Sequence, residues 1–490
     1  MSNLPEGWVK TTIAEIATIS TGSTPTTKVI TNFGGITPFV KPSDLDDYFK
    51  AIVSAEQTLS DEGVQQSKLL RPGAVLVSCI GNLGKVGITA VPVVTNQQIN
   101  AVEFELSIVF DRYGYYYCKT LKSWMIKNAS STTISILNKS RFSNAAFLIA
   151  PLNEQKRIAD KLDSILARVD ACRERLDCIP AILKRFRQAV LTAATSGKLT
   201  EEWREQFLRN INAKSLAAEI HAIHDEAGGH KMGNAAAPTE GVHDLSLEMF
   251  PDGWELVTLR DVVSPDRPIT YGILKPGPEL NEGIPYIRVA DFPCNKLNLG
   301  TIRKTSRQID EEFRRSRLRS GDLLLSIRGT VGRIVKIPNE LAGANITQDS
   351  ARLSVQPIVN RDFVFYYLQS SMAQYRMKKS VKGVAVRGIN IGDVRALQLP
   401  LPSFSEQTEI VRRVEELFAY ADRIEARYHA ARAQTDKLTP AILAKAFRGE
   451  LVPQDPNDEP ASVLLDSIRA SRAENALTPK PKRSRKLAAK

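Results

Sequence analysis

The stretch PLNEQKRIADKLDSILARVDACRERL (151–176) has a counterpart in PLPSFSEQTEIVRRVEELFAYADRIEAR (400–427), and this pair decides how the chain is read. Both are long, charge-rich helix sequences, and neither carries an obvious catalytic group. In the first, apolar residues fall at Ile158, Leu162, Ile165, Val169, Cys172, Leu176, Ile179, Leu183, Phe186 and Val190. Steps of four and three make a heptad seam, which calls for a partner helix and a left-handed supercoil, because the stripe on a lone 3.6-residue helix drifts off its face. At an offset of 252 the second helix supplies Ile410, Val414, Leu417, Ala421, Ile424, Tyr428, Ala431, Thr435, Leu438 and Ile442. Asn153 and Ser405 are expected to cap the two N-termini, with Leu152 and Phe404 at the staple position. Gly197 and Gly449 fit equivalent stops, and Pro180 should kink the first helix by removing a backbone bond to Leu176. About 40 residues at 1.5 Å each give rods of roughly 60 Å. Paired antiparallel within one chain, they would act as a spacer between two globular units.

The rest of the chain is duplicated as well. LPEGWVKTTIAEIA (4–17) matches FPDGWELVTLRDVV (250–263) through Gly7/Gly253 and Trp8/Trp254 at an offset of 246. TPFVKPSDL (37–45) matches IPYIRVADF (284–292) through Pro38/Pro285, Lys41/Arg288 and Asp44/Asp291 at 247. RPGAVLVSCIGNLGKV (71–86) matches RSGDLLLSIRGTVGRI (319–334) at 248, pairing Ser78/Ser326, Gly81/Gly329 and Gly84/Gly332. An offset that drifts by so little along the chain marks a tandem duplication. Each copy opens with short β-branched or aromatic runs punctuated by Gly, Pro, Asn and Ser, which read as strands and turns, and closes on a long helix. The fold class expected is therefore α+β. Two similar domains, 1–150 and 250–400, are separated by the helices 151–200 and 401–455 in an antiparallel coiled coil with a pseudo-twofold internal repeat. A helical segment and linker fill 201–249, where HDEAGGHKMGNAAAPTEGVHD (224–244) has no apolar period. Residues 456–490 are expected to be a disordered basic tail.

At 490 residues the chain is too long for one ordinary core, and 43% hydrophobic with 24% charged residues is the balance of soluble domains. No apolar run is long enough for a membrane span, and MSNLPEGWVK lacks the regions of a secretory signal, so a cytoplasmic location without membrane association is expected. Five cysteines without a CxxC argue against both a disulfide frame and a zinc knuckle. The net charge of +12 favours an anionic partner, most simply nucleic acid, although PKPKRSRKLAAK (479–490) alone contributes six basic residues.

Taken together, the GW near the start of each half, the Ser-x2-Gly-x2-Gly turns, the helix openings PLNEQKRI and SFSEQTEI, and the helix ends AVLTAATSGKLT (189–200) and AILAKAFRGELV (441–452) resemble a known family. It is the specificity (S) subunit, HsdS, of Type I restriction-modification systems. The resemblance covers nearly all of 1–455. It implies that the two globular units are target-recognition domains, each reading half of a split double-stranded DNA site, while the helices set the gap. It also implies two modification (methyltransferase) subunits and, for cleavage, restriction/translocase subunits as partners. No cofactor is expected in this chain; S-adenosylmethionine, ATP and Mg would belong to those partners. Glu154, Gln155, Glu406 and Gln407 carry over as parts of the shared scaffold.

Base reading needs donors and acceptors that reach base edges, with basic groups nearby for phosphates. In the first half, TGSTPTTK (21–28) offers Thr24 and Lys28, GNLGK (81–85) offers Lys85, and ILNKSRFS (136–143) offers Asn138, Lys139 and Arg141. In the second half, TYGILK (270–275) offers Tyr271 and Lys275, SIRGTVGR (326–333) offers Arg328 and Arg333, and VKGVAVRGIN (381–390) offers Arg387 and Asn390. Arginine can grip guanine with two hydrogen bonds, so Arg328 and Arg387 are the foremost base readers, while Lys41 and Arg288 suit phosphates. Nine basic residues against four acidic ones between Ile302 and Arg333 suit phosphates too, or simply an exposed helix face.

Catalytic signals are thin. GNLGKV lacks the glycine spacing and the Ser or Thr of a phosphate loop, and its duplicate GTVGRI loses the lysine. His221 and His224 could share a helix face but have no cysteine partners. No Asn-Pro-Pro-aromatic tetrad is present. No catalytic or metal-binding residue is therefore expected. The rival readings are a self-contained DNA methyltransferase and a coiled-coil scaffold with non-specific DNA binding.

Overall fold

The computed structural model describes residues 4–45, 51–130, 134–207, 215–227, 245–381 and 387–477. The chain folds as two compact units: Met1–Cys178 with Tyr428–Lys490, and Ile179–Arg427. The first unit is thus assembled from both ends of the sequence.

Within the first unit, Val9–Thr12 pairs antiparallel with Ala146–Ile149, so the domain closes on its own beginning before the central helix starts. An antiparallel four-stranded sheet has the order Ala17–Thr21, Ile99–Phe104, Val75–Ser78, Val86–Ile88. A three-stranded sheet places Phe33–Val40 between Gln57–Leu59 and Val94–Thr95, the last pairing parallel. The run VLVS reads as continuously apolar because both of its faces are covered: Val75 and Val77 join one apolar cluster and Leu76 another, as the period of two requires. The second unit repeats this plan. Glu255–Thr258 pairs with Gln398–Leu401, and Ser350–Leu353, Leu323–Ser326 and Ile334–Lys336 form a sheet with Thr270–Tyr271 at its edge. Ile284–Ile287 lies between Arg303–Thr305 and Asn345–Ile346, again with one parallel pairing. Leu323 and Leu325 face one cluster and Leu324 the other.

The long helices pair antiparallel inside each unit. In the first, Leu152–Asp177 meets the end of Phe404–Ala446: Leu162 and Leu166 are buried with Leu443, Ala446 and Phe447, and Arg432 binds Asp177 while Arg173 lies 3.7 Å from Asp436. Phe447 reaches the domain core, with ring centroids 5.3 Å from Tyr113 and 4.9 Å from Tyr117. In the second, Ile179–Thr195 meets the beginning of Phe404–Ala446: Val190, Leu191 and Ala194 are buried with Ile410, Val411 and Val414, and Arg187 lies 2.7 Å from both Asp422 and Glu425.

Each long helix opens on the same latch. Trp8 Nε1 donates to Glu154 Oε2 at 3.0 Å, and Trp254 Nε1 donates to Glu406 Oε2 at 3.0 Å. Gln155 accepts from Phe110 N at 2.9 Å and donates to Ile108 O and Ala150 O; Gln407 accepts from Asn360 N at 2.8 Å and donates to Pro402 O. All four latch residues are buried and engaged within their own domains.

Several expectations need correction. The helices start at Leu152 and Phe404, so Asn153 and Ser405 lie inside the first turn; Pro151 precedes one helix, and Ser403 Oγ accepts from Glu406 N in the other. At Pro180 the helix is interrupted: Leu152–Asp177 and Ile179–Thr195 are separated by Cys178 alone, which itself keeps right-handed angles (φ −78°, ψ −23°). Pro440, in contrast, lies inside a continuous helix. Gly197 and Gly449 adopt φ of +78° and +75° as expected of helix stops. Of the proposed seam, Ile158, Leu162, Val169, Ile410 and Val414 are buried, Ile165, Leu176, Leu417 and Ile424 are half-buried, and Leu438 is 45% exposed. The buried row runs Ile158, Leu162, Leu166, Val169 on one helix and Thr435, Leu443, Ala446 on the other, because a heptad stripe drifts by about 20° per repeat on a straight helix. The disordered-tail reading fails for Ala461–Leu477, a helix whose Ala461 and Leu465 enter the first core and whose Arg469 pairs with Glu15 at 2.9 Å. Residues 478–490, and 228–244 of the expected linker, lie outside the described residues, while Leu216–Glu226 is helical and His224 Nε2 bonds Asp261 O. No helix among the described residues is long and apolar enough to cross a membrane.

Candidate nucleic-acid interface

The Ser-x2-Gly-x2-Gly turns emerge from the ends of Val75–Ser78 and Leu323–Ser326. Their glycines hold φ of +77° and +78° (Gly81, Gly84) and +72° and +93° (Gly329, Gly332), the left-handed region where a side chain is strained. Ser78 O accepts from Gly84 N and Ser326 O from Gly332 N, both at 3.0 Å, which folds the turn back on its strand.

Each turn is then stitched to two further loops by the same backbone bonds. In the first unit, Leu137 N donates to Cys79 O, Gly81 N to Ser135 O, and Cys79 N to Gln98 O, at 2.9, 2.9 and 2.8 Å. In the second, Ile389 N donates to Ile327 O, Gly329 N to Arg387 O, and Ile327 N to Asp349 O, at 2.9, 3.0 and 2.8 Å. A fourth loop leans on this platform through a close backbone approach. A Cβ on Gly22 would come within 2.3 Å of Thr95 O, and one on Gly272 within 1.9 Å of Ile346 O. The result in each unit is a rigid backbone frame with an exposed polar fringe, built where the sheet ends.

The proposed reader residues divide on this frame. Lys28, Lys139, Lys275, Arg328 and Arg387 are exposed, and none of them forms an ion pair with a described residue; Tyr271 is exposed on its edge strand. Thr24 is exposed, its hydroxyl donating to Gln97 Oε1 at 2.6 Å. Arg141 is exposed and touches Asn128 O at 3.3 Å. The remainder are engaged with neighbouring groups of the fold. Asn138 and Asn390 are N-caps, accepting from Arg141 N and Asp393 N at 2.8 Å each. Arg288 forks onto Asp291 at 3.0 and 2.6 Å and donates to Thr301 O, and the hydrogen bond to Asp291 holds its guanidinium above the ordinary range. That pair ties Arg288 to its own domain. Lys85 donates to Pro42 O at 3.2 Å, Arg333 leans on Val289 O at 3.5 Å, and Lys41 lies over the Phe39 ring at 5.7 Å; all three are half-buried. Arg314, Arg315 and Arg319 of the basic stretch are exposed, whereas Arg317 is tied to Asp310 and Glu311.

Sequence reasoning missed Gln97 and Gln348, which occupy equivalent places on the third loop. The signal was TNQQ against ITQD just before a buried strand. Among the described residues no group of three or more His, Cys, Asp or Glu side chains is placed to hold a metal ion.

The frame, its duplication and its helices match known proteins. The family of the Type I restriction modification DNA specificity domain matches at residues 5–180 and 251–430. The chain is 32% identical to the Type I restriction enzyme EcoBI specificity subunit of Escherichia coli, over 96% of this chain and 94% of the relative. It is 28% identical to the EcoKI specificity subunit of Escherichia coli strain K12, over 96% of each chain. Among solved structures, a chain from a study of complex assembly and conformational transition of the type I R-M system aligns with a TM-score of 0.64 at 19% identity, covering 92% of this chain and all of that one. The HsdS subunit of Thermoanaerobacter tengcongensis aligns with a TM-score of 0.50 at 18% identity, covering 91% and 98%.

Proposed function

Because this chain belongs to the Type I restriction-modification DNA specificity family, we propose that it is the DNA-reading subunit of such a system. Each unit reads one half of a bipartite, asymmetric double-stranded site, and the paired helices fix the gap. The observation that carries this reading is the stitched loop frame, present twice with the same backbone bonds and different side chains. An identical scaffold with a different fringe is what two unlike half-sites require. In the first unit Thr24, Gln97, Lys28, Lys139 and Arg141 form the fringe; in the second, Tyr271, Lys275, Arg328 and Arg387 do. Arg328 and Arg387 read guanine, and the lysines neutralise phosphates.

The chain acts without chemistry of its own in this proposal, in the cytoplasm and away from membranes. Methyltransferase subunits, and a restriction subunit where cleavage occurs, bring S-adenosylmethionine, ATP and Mg. Genome-wide adenine methylation, mapped by single-molecule sequencing in cells with and without this chain, tests the reading. A split motif that vanishes with the chain is expected. Replacing residues 1–150 by the first domain of another family member should change one half of that motif only. With an active methyltransferase, a motif indifferent to this chain would sink the proposal in favour of a scaffold.

A further inference from the structure

In the first unit Arg71 and Asp111 form a two-pronged ion pair, with Nη1 at 2.6 Å and Nη2 at 2.9 Å from the carboxylate. The pair lies over Gly73, where a Cβ would meet Asp111 Oδ2 at 2.2 Å and Arg71 Nη1 at 2.8 Å. Arg319 and Gly321 stand at the same places in the second unit. Asp111 opens the helix Asp111–Thr120, and the residue opening the matching helix Arg361–Gln369 is Arg361. Arg361 takes the position over the glycine, its Nη1 2.5 Å from a Cβ on Gly321. At the two glycines an arginine and a carboxylate have become two arginines, while the next helix residue has changed the other way, from Arg112 to Asp362.

A cavity of about 470 Å³ lies between them, lined by Arg319, Arg361, Ser264 and the rim residue Phe404, which is 47% exposed. The acidic residues nearby offset this charge only in part. Asp322 is gripped by Arg267 at 3.0 Å through both oxygens and accepts from Ser354 at 2.6 Å. Asp362 is held by Lys336 at 2.8 Å, with Arg361 at 3.2 Å. Asp266 remains, but two residues before Ser354 the fully buried Arg352 adds a further positive charge, and its Nε has no partner. Burial, and then the charge of Arg267, push its guanidinium down to about 10 against the opposing pull of Asp322. The cavity faces the beginning of Leu323–Ser326, whereas the reading frame sits at that strand's other end.

We propose that this cavity binds a phosphate-bearing small molecule, whose dianionic head bridges Arg319 and Arg361. Arg267, Arg319, Arg361, Arg352 and Lys336 stand against Asp266, Asp322 and Asp362, five positive charges to three negative, a surplus of two that a phosphate dianion balances and a single carboxylate does not. Two guanidinium forks suit its oxygens, and the volume admits an organic group against Phe404.

Calorimetric titration of the full-length chain with inorganic phosphate and with AMP, against chloride at equal ionic strength, tests this. Saturable binding of both is expected, weakened by roughly tenfold or more in Arg319→Gln. Arg361→Asp should abolish it while rebuilding the ion pair of the first unit, so an unchanged or raised unfolding temperature verifies the fold. No phosphate-specific binding by the wild-type chain, or unaltered binding by both variants, would overturn the site. The proposal also fails if free phosphate is inert and Arg361→Asp instead lowers affinity for target DNA, reducing its salt dependence by about one phosphate contact, because the oxyanion then belongs to the duplex. Loss of the co-purified methyltransferase subunit, with free phosphate inert, overturns it in the same way.

Discussion

The two latches at the heads of the long helices have the same tryptophan and the same glutamate, yet they are electrostatically unlike. Glu406 is fully satisfied: one oxygen takes the Trp254 indole, and the other accepts from Thr200 Oγ1 at 2.7 Å and from Arg204 at 2.5 Å. Glu154 has the Trp8 indole on one oxygen, and the other is buried without a partner. The cause lies downstream of the opposite helix. After Gly197 the chain continues as TEEWR and forms the helix Glu201–Phe207, which delivers Arg204. After Gly449 the corresponding residues are VPQDP, and prolines replace the helix. Arg157, whose charge acts on Glu154, is occupied by Asp458 at 2.6 Å. One carboxylate is therefore a neutralised keystone, and the other is a charge held at a cost, its carboxyl raised above the ordinary range by burial. Identical sequence motifs do not imply identical energetics when the compensating group comes from a part of the repeat that has diverged.

This contrast can be broken by substitution. Glu406→Ala leaves Arg204 buried and uncompensated and should cost the second unit about 3–5 kcal/mol, read as faster hydrogen exchange confined to 179–427. Leu443→Ala opens a cavity in the first core at about 2–4 kcal/mol, whereas Leu438→Ala on the exposed side of the same helix should be nearly silent in chemical unfolding; equal effects would restore the strict heptad seam. Loss of the cap in Asn390→Ala should cost about 1 kcal/mol and loosen the 387–390 loop with it, visible as increased exchange there. Glu154→Gln should be close to neutral or stabilising. Its clearest signature is in pH. The folded carboxyl binds its proton more tightly than the unfolded one, so the first unit loses stability as pH rises from the usual value of 4.5 through the raised folded value. Glu154→Gln removes that slope, and an unchanged slope would refute the assignment.

Much of this was legible in the chain itself. The duplication, the paired helices, their glycine stops and the two-glycine turns follow from spacing that only repetition produces. Reader residues were harder, because an asparagine that caps a helix and one that reaches a base are the same letter. Asn138 and Asn390 stand in loops that suit readers, and each precedes a short helix it caps. Arg288 carried its own warning, an aspartate three residues on at Asp291, and it is that aspartate that takes the guanidinium. The helix Ala461–Leu477 was hidden by averaging: Ala461, Leu465 and Ile468 keep a helical spacing, but the strongly basic end of the chain dominated the composition. Antiparallel pairing was expected, but not that Leu443, Ala446 and Phe447 would enter the core of the first domain itself, because a seam spacing describes helix against helix and not helix against sheet.

Phe447 and its neighbours give the molecule a history in time. The second unit is one continuous run of chain, whereas the first lacks Leu443, Ala446 and Phe447 from its core until the whole of the second has been synthesised. With Leu162 and Leu443 packed in one core, and translation at roughly 5–20 residues per second, the half made first waits on the order of 15–60 s for the residues that finish it. During that interval Tyr113 and Tyr117 have the Phe147 ring but lack the Phe447 ring, and the nascent domain is an open clasp. The protein matures in reverse order of its reading frame, and an abrupt end to translation before residue 443 would leave a first domain that had been made in full and never closed.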